Sequence, residues 1–368
     1  MKTKLLVLLI FITSSLTFAS NHGIYLMTNI NVKGNINELQ KLIVSKVKSE
    51  GYKVLYSNIV NVPDFVRQDK TEHCGFSARL IVLSKNSYSK MLTSYGTKYL
   101  VAGFLKIGLY ETPNGINVVI TDPETINRIV FNDLFENDKV DLYKELISKT
   151  KKYKNSLVSL LHNSVDGEKV KTAMEPIRDD EDLEESSKDM FMMVGSLTLF
   201  NDEDQFPLIY STQNSKGFLG IQKLKEKFIA NLKSFKPTED DKEYRWYPNE
   251  KALKWKVISE IQLPNKNAIL LGLTRPRTEA VSFNIASASR EDEGDMCPGI
   301  DHVTAYPFEV LILQEENKIN VYTQRQMHRM DMYFWDAGMS AFMDHMSMPG
   351  ILDASLRKAL LGKEYIED

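Results

Sequence analysis

The segment MHRMDMYFWDAGMSAFMDHMSMPG, Met327 to Gly350, concentrates seven of the chain's 15 methionines and two of its six histidines. Thioether sulfur and imidazole nitrogen are donors that suit copper(I) in an oxidising compartment, where thiolates are oxidised or paired. Two candidate clusters stand out: Met327, His328 and Met330, and then Met343, His345, Met346 and Met348. A helix through the second cluster would set His345 and Met348 on one side by their spacing of three. A Met/His pair is also an axial set for haem, which would be non-covalent here because the chain has no CxxCH motif. The competing reading is a soft core, since methionine fills irregular interiors, and Met339, Met343 and Met346 keep helical spacing with Phe342.

A further metal candidate depends on where the chain is cut. The opening MKTKLLVLLIFITSSLTFAS has two lysines, an apolar run from Leu5 to Ile12 and the small residues Thr17 and Ala19. The run is too short to span a bilayer and has the three-part shape of a secretory signal. Residues 1–19 are therefore expected to be removed, leaving a periplasmic or secreted protein with no stable membrane anchor. The mature chain would begin Ser20-Asn21-His22. Its amine, two amides and the His22 imidazole could close around copper(II) or nickel(II) in a square plane.

Composition narrows the class further. With 43% hydrophobic and 26% charged residues, the chain can bury a large core in about two domains. A net charge of -3 argues against nucleic acid as a partner. Cys74 and Cys297 are a candidate disulfide in an oxidising compartment, or two separate thiols. No GxSxG, HExxH, CxxC or glycine-rich phosphate loop occurs, and neither His73-Cys74 nor His302 has the context of an activated group. Trp246, Tyr247 and Trp255 are as readily a core edge as a ligand pocket. The balance favours a binding protein over an enzyme: a copper or haem binder, or a structural or protein-interaction module with an exported partner. The oligomeric state is left open.

The elements that must position these residues repeat. FLKIGLYETPNGINVVITDPETINRIVFND, Phe104 to Asp133, aligns without a gap on PFEVLILQEENKINVYTQRQMHRMDMYFWD, Pro307 to Asp336, at an offset of 203. Upstream, ARLIVLSKNSYSKMLTSYG from Ala78 aligns on AILLGLTRPRTEAVSFNIA from Ala268 at an offset of 190, so the second copy carries a 13-residue insertion around SASREDEGDMCPG. Each copy reads as a helix (INELQKLIVSKVKSEG; GIQKLKEKFIANLK), a buried strand, a short helix and a hairpin. The expected class is α+β: two related domains from an internal duplication, each with an antiparallel, hairpin-containing sheet packed by helices. Domain bounds are expected at 24–135 and 210–368, the latter with the Met-rich C-terminal segment. Residues 136–209 are read as an amphipathic helix, with Leu142, Leu146, Tyr153, Leu157 and Leu160 on one face, and the acidic linker RDDEDLEESSKD. Under this alignment Met332 faces Ile129, as core would, whereas Met327 and Met330 face Glu124 and Asn127, which suggests positions outside a core.

The stretch CGFSARLIVLSKNSYSKMLTSYGTKYLVAGFLKIGLYETPNGINVVITDPETINRIV resembles the domain-of-unknown-function family numbered 302, small α+β domains found singly or in tandem. The hairpin followed by Asp122-Pro123 carries most of the likeness. The second copy departs from it, with Gln324-Arg325 or Arg325-Gln326 at the place of Asp-Pro. The resemblance implies a fold and assigns no catalytic residue.

Overall fold

The computed structural model describes residues 21–61, 77–136, 138–179, 206–237, 239, 241, 250–287, 299–334, 343 and 345–365. The signal-like leader, Cys74, Cys297, Trp246, Tyr247, Met339 and most of the acidic linker lie outside them.

Eleven strands form two antiparallel sheets with helices packed against them, an α+β fold. The first sheet takes β1 (His22–Val32), β2 (Lys53–Ile59), β3 (Ala78–Ser84), β4 (Leu105–Thr112), β5 (Gly115–Thr121) and β6 (Glu168–Arg178), in the order β2-β3-β4-β5-β1-β6. Its helices are α1 (Ile36–Ser49), α2 (Asn86–Tyr95), α3 (Pro123–Val130), α4 (Asn132–Glu136) and α5 (Val140–Ser164). A 3-10 turn, Thr97–Ala102, leads into β4.

The second sheet takes β7 (Leu208–Gln213), β8 (Lys256–Leu263), β9 (Ala268–Thr274), β10 (Phe308–Glu315) and β11 (Lys318–Thr323), in the order β7-β11-β10-β9-β8. Its helices are α6 (Phe218–Ser234), α7 (Pro276–Ser287), α8 (Gln326–Phe334) and α9 (Met348–Leu361), and a 3-10 turn, Ile300–Ala305, leads into β10. Read from one edge, β2-β3-β4-β5-β1 and β8-β9-β10-β11-β7 are the same order of chain positions. The hairpin turns fall at Pro113-Asn114 and Glu316-Asn317, where Thr112 pairs with Gly115 and Glu315 with Lys318. Among the described residues no helix is long and apolar enough to cross a membrane.

Local chemistry explains the elements. The apolar runs ARLIVLS and AILLGLT become central strands, β9 buried at every residue and β3 at all but one, as a strand covered on both faces requires. Asn35 caps α1 by accepting a hydrogen bond from the Asn37 amide at 2.8 Å. Gly51, at φ +76, supplies the left-handed residue after that helix. Asp122-Pro123 opens α3: the aspartate accepts from the Glu124 amide at 2.8 Å, and the proline takes the first helical position, where no N–H is needed. The corresponding helix α8 begins at Gln326, so Arg325-Gln326 holds the place of Asp-Pro.

One expected boundary and one expected helix face differ in the structure. Helix α5 packs on α3, α4 and α1, and β6 pairs with β1, so the first unit continues to Arg178 rather than ending at 135. The buried stripe of α5 is Tyr143, Leu146, Ile147, Thr150, Lys154, Leu157, Val158 and Leu161; Leu142, expected on it, is 44% exposed. The expected face was one position out because Thr150 and Lys154, both polar, belong to the inner side.

The two units meet through their turns. Ile300–Ala305 packs on β3, β4 and β5, and Thr97–Ala102 packs reciprocally on β9 and β10. Gly108 in β4 permits the first contact, because a Cβ there would overlap Val303 Cγ1 and lie 2.9 Å from Thr304 Cγ2.

Candidate functional site

Helix α8 carries the first Met/His cluster on its inner face. His328 is 3% exposed. Gln324, just before the helix, places its side-chain nitrogen 2.6 Å from His328 Nδ1 and 3.6 Å from the Met332 sulfur. The spacing of four along a helix stacks residue 328 beside 332. Phe206 stands edge-on to the imidazole at 6.0 Å. The other ring nitrogen, Nε2, is buried and has no hydrogen-bond partner among the described residues. Burial, with the nearby Arg329 and Arg178 charges, pushes this imidazole down to about 3, so it is neutral at ordinary pH.

The structure sorts the predicted ligands into different environments. Met330 is a core residue, 6% exposed, and Met327 is half-buried one turn away from it. The expectation that Met330 lies outside a core fails for a clear reason. Its counterpart Asn127 is itself fully buried, accepting from Tyr88 at 3.2 Å and donating to Thr150 at 2.8 Å. A polar residue in one copy does not mark a surface position when that copy supplies it with partners.

The second cluster does not share one environment. Met343 and Met346 are 54% and 51% exposed, His345 is half-buried and Met348 is in the core. Met348 lines a small pocket with Val281, Ile351, Leu352, Thr278, Arg275 and Arg277, away from the other methionines of its cluster. Arg275 is held there by Asp241 at 2.7 Å, by Ser355 and Thr278, and by the Trp255 ring 4.8 Å away. His22 opens β1, 4% exposed, opposite Arg178 of β6. Square-planar closure through the amides of residues 21 and 22 would compete with that strand pairing. Among the described residues no three His, Cys, Asp or Glu side chains are grouped to hold a metal.

Two polar networks were not foreseen. Between the sheets, Lys106 of β4 pairs with Glu309 of β10 at 3.3 Å and donates to Tyr333 Oη at 3.0 Å; Arg329 holds the other Glu309 oxygen at 2.6 Å and also bonds the Ala305 carbonyl. Tyr25 Oη donates to the Tyr333 carbonyl, and His302, bonded to Asp301 at 2.8 Å, packs between Tyr25 and Phe334. In the first unit, Lys154 of α5 reaches Asp122, and Glu124 at 3.2 Å, with Lys151 and Arg128 completing the charges around Glu124. Burial raises the Asp122 carboxyl against the pull of Lys154, while Lys154, Lys151 and Arg128 together hold Glu124 below the usual range. Both networks pair their charges internally and read as structural.

Of the residues around His328, sequence reasoning missed Gln324 and set Met332 aside as core. The available signal was their spacing, four residues on either side of the histidine.

No protein-family model matches the chain, and no curated protein does. Among solved structures the chain is similar to a crystal structure described as an uncharacterized conserved protein DUF302 from Bacillus stearothermophilus. The identity is 11% and the TM-score 0.30, over 38% of this chain and 98% of that one.

Proposed function

We propose that the chain is an exported, internally duplicated α+β binding protein of the domain-of-unknown-function 302 type, whose second unit holds a single soft metal ion, copper(I), at His328. The observation that carries the metal reading is the His328 Nε2, buried and without a hydrogen-bond partner among the described residues. An orphaned buried polar atom costs about 1–3 kcal/mol, and coordination would remove that cost. A half-turn of the Gln324 carboxamide, whose O and N ends are interchangeable by shape, makes Oε1 the acceptor of the Nδ1 proton. Nε2 then offers a bare lone pair, held in orientation as metal-bound imidazoles are held. The Met332 thioether, one turn along α8 and 3.6 Å from the Gln324 side-chain nitrogen, would supply the soft second donor by turning its flexible side chain toward Nε2.

A lone ion fits better than haem, which needs an open slot beside the coordinating ring. The duplication reading rests on the two offsets of 203 and 190 and on the matching strand orders. Export rests on the leader sequence alone.

The test is a competition titration with a copper(I) chelator. Wild type should bind one equivalent. His328→Gln and Met332→Leu should each weaken binding at least about tenfold while keeping the fold, since Met-to-Leu swaps usually cost under about 1.5 kcal/mol. Met343→Leu/Met346→Leu should leave affinity unchanged. Absence of binding in wild type returns the methionines to packing, a reading favoured by the core positions of Met330, Met332 and Met348.

A further inference from the structure

The two sheets differ at one edge. In the first, β1 is covered on its outer side by β6, antiparallel, from His22 opposite Arg178 to Ile30 opposite Glu168. In the second, β7 holds the position of β1, and among the described residues no strand lies beyond it. An uncovered edge presents a row of backbone donors and acceptors and is ordinarily guarded by charge, proline or a bulge that turns it away.

The other outer strands carry such guards. β6 contains Glu168, Lys169, Lys171 and Arg178; β2 and β8 carry Lys53, and Lys256 with Glu260, and these two strands also lie against one another. β7 reads LIYSTQ, with no charged residue and no proline, and its Leu208 is 49% exposed. A bulge near residue 209 is its only irregularity. The following residues are regular: the Asn214 amide donates inward to the Asn317 carbonyl at 2.7 Å, so by the alternation of an antiparallel ladder Ser211 and Gln213 direct their N–H and C=O groups outward.

We propose that β7 is an interaction surface for a second copy of this chain, the two β7 strands pairing antiparallel across a two-fold axis into one ten-stranded sheet. The first sheet demonstrates the kind of element this edge accepts, an antiparallel strand. The absence of charge favours the identical strand as occupant: self-pairing sets the strand against its own sequence reversed, so a strand with net charge would repel its copy, and LIYSTQ has none. A two-fold contact uses one patch twice and needs only that self-compatibility. This inference is independent of the metal reading.

Sedimentation velocity on the purified full chain tests it, from about 5 to 500 μM, a range that reads a weak interface. Wild type should move from monomer to dimer with rising concentration. Ser211→Pro removes one outward N–H and no backbone bond to β11, losing besides only the Ser211 Oγ bond to Asn320 Oδ1 at 2.8 Å, and Leu208→Lys/Ser211→Lys adds two like charges per strand; each should raise the dissociation constant at least about a hundredfold. Circular dichroism checks folding, and if Ser211→Pro is unfolded the double lysine variant, which keeps every backbone donor, decides. A wild type that stays monomeric over the whole range overturns the proposal, whether another segment of the chain or nothing covers the edge. A dimer unchanged by the folded variants overturns it too.

Discussion

Lys106 and Glu309 hold the same position in their two hairpins, 203 residues apart, and pair with each other at 3.3 Å. The contact lies where the units meet, beside the reciprocal packing of Ile300–Ala305 on β4 and of Thr97–Ala102 on β10. Identical residues there would set like charges together in a buried place. Because both units belong to one chain, the two sides of the contact can differ, a cation facing an anion.

Removing the two partners should have unequal effects. Glu309→Gln leaves Lys106 and Arg329 as buried cations without their carboxylate and should cost about 3–5 kcal/mol. Lys106→Met leaves Glu309 paired with Arg329 at 2.6 Å and should cost under about 2 kcal/mol. Urea unfolding of the two variants compares them; equal losses would mean that Arg329 does not hold Glu309.

At Gly108, packing between units leaves no room for a methyl group. Gly108→Ala should destabilise by about 1–3 kcal/mol. Val303→Ala, which removes the clashing methyl, should recover part of that loss in the double variant, and a double-mutant cycle would report coupling above about 0.5 kcal/mol. Simple additivity would place the cost elsewhere.

In the first unit, Lys154→Met strands Asp122 without its cation in a buried site and should cost about 3 kcal/mol. Lys151, 52% exposed beside Glu124, should cost under about 1 kcal/mol when changed to alanine. Asp122→Asn keeps a helix-capping side chain, so its loss should stay smaller than that of Asp122→Ala, which removes cap and charge together.

His328 makes stability depend on pH. Its folded value, near 3, lies below the ordinary histidine value of about 6.5. Between these the unfolded chain binds the proton that the folded one refuses, so the contribution is complete above about 6.5 and is lost as pH falls toward 3. From pH 7.5 to 5 the wild type should lose about 2 kcal/mol that His328→Gln does not lose. Parallel pH profiles for the two proteins would show that the imidazole is protonated at no cost and therefore is not buried as described.

Much of the fold was legible because its signals are local. The runs ARLIVLS and AILLGLT, the Asn114-Gly115 turn, the Asp122-Pro123 cap and helices α1 and α6 each carry their own instruction over a few residues, and the offset of 203 gave the hairpins their correspondence. Strands β1, β2, β6, β7 and β8 were not anticipated. Four of them, β2, β6, β7 and β8, have mixed or exposed faces, and β1, β6 and β7 take their places in a sheet from partners distant in sequence. The class of donor atoms in the Met327 to Met348 stretch was also plain from residue types. Their sorting was not, since burial of Met330 and the setting of His328 beside Gln324 depend on which face of α8 packs inward, and Met343 and Met346 lie beyond that helix. That face is fixed by the units' mutual packing, through contacts such as Arg329 with Glu309 and Tyr333 with Lys106, which join residues 20 to 227 positions apart. A sequence states what each residue can offer chemically; only the folded chain decides which offers meet, because desolvation and contact are properties of the place and not of the residue.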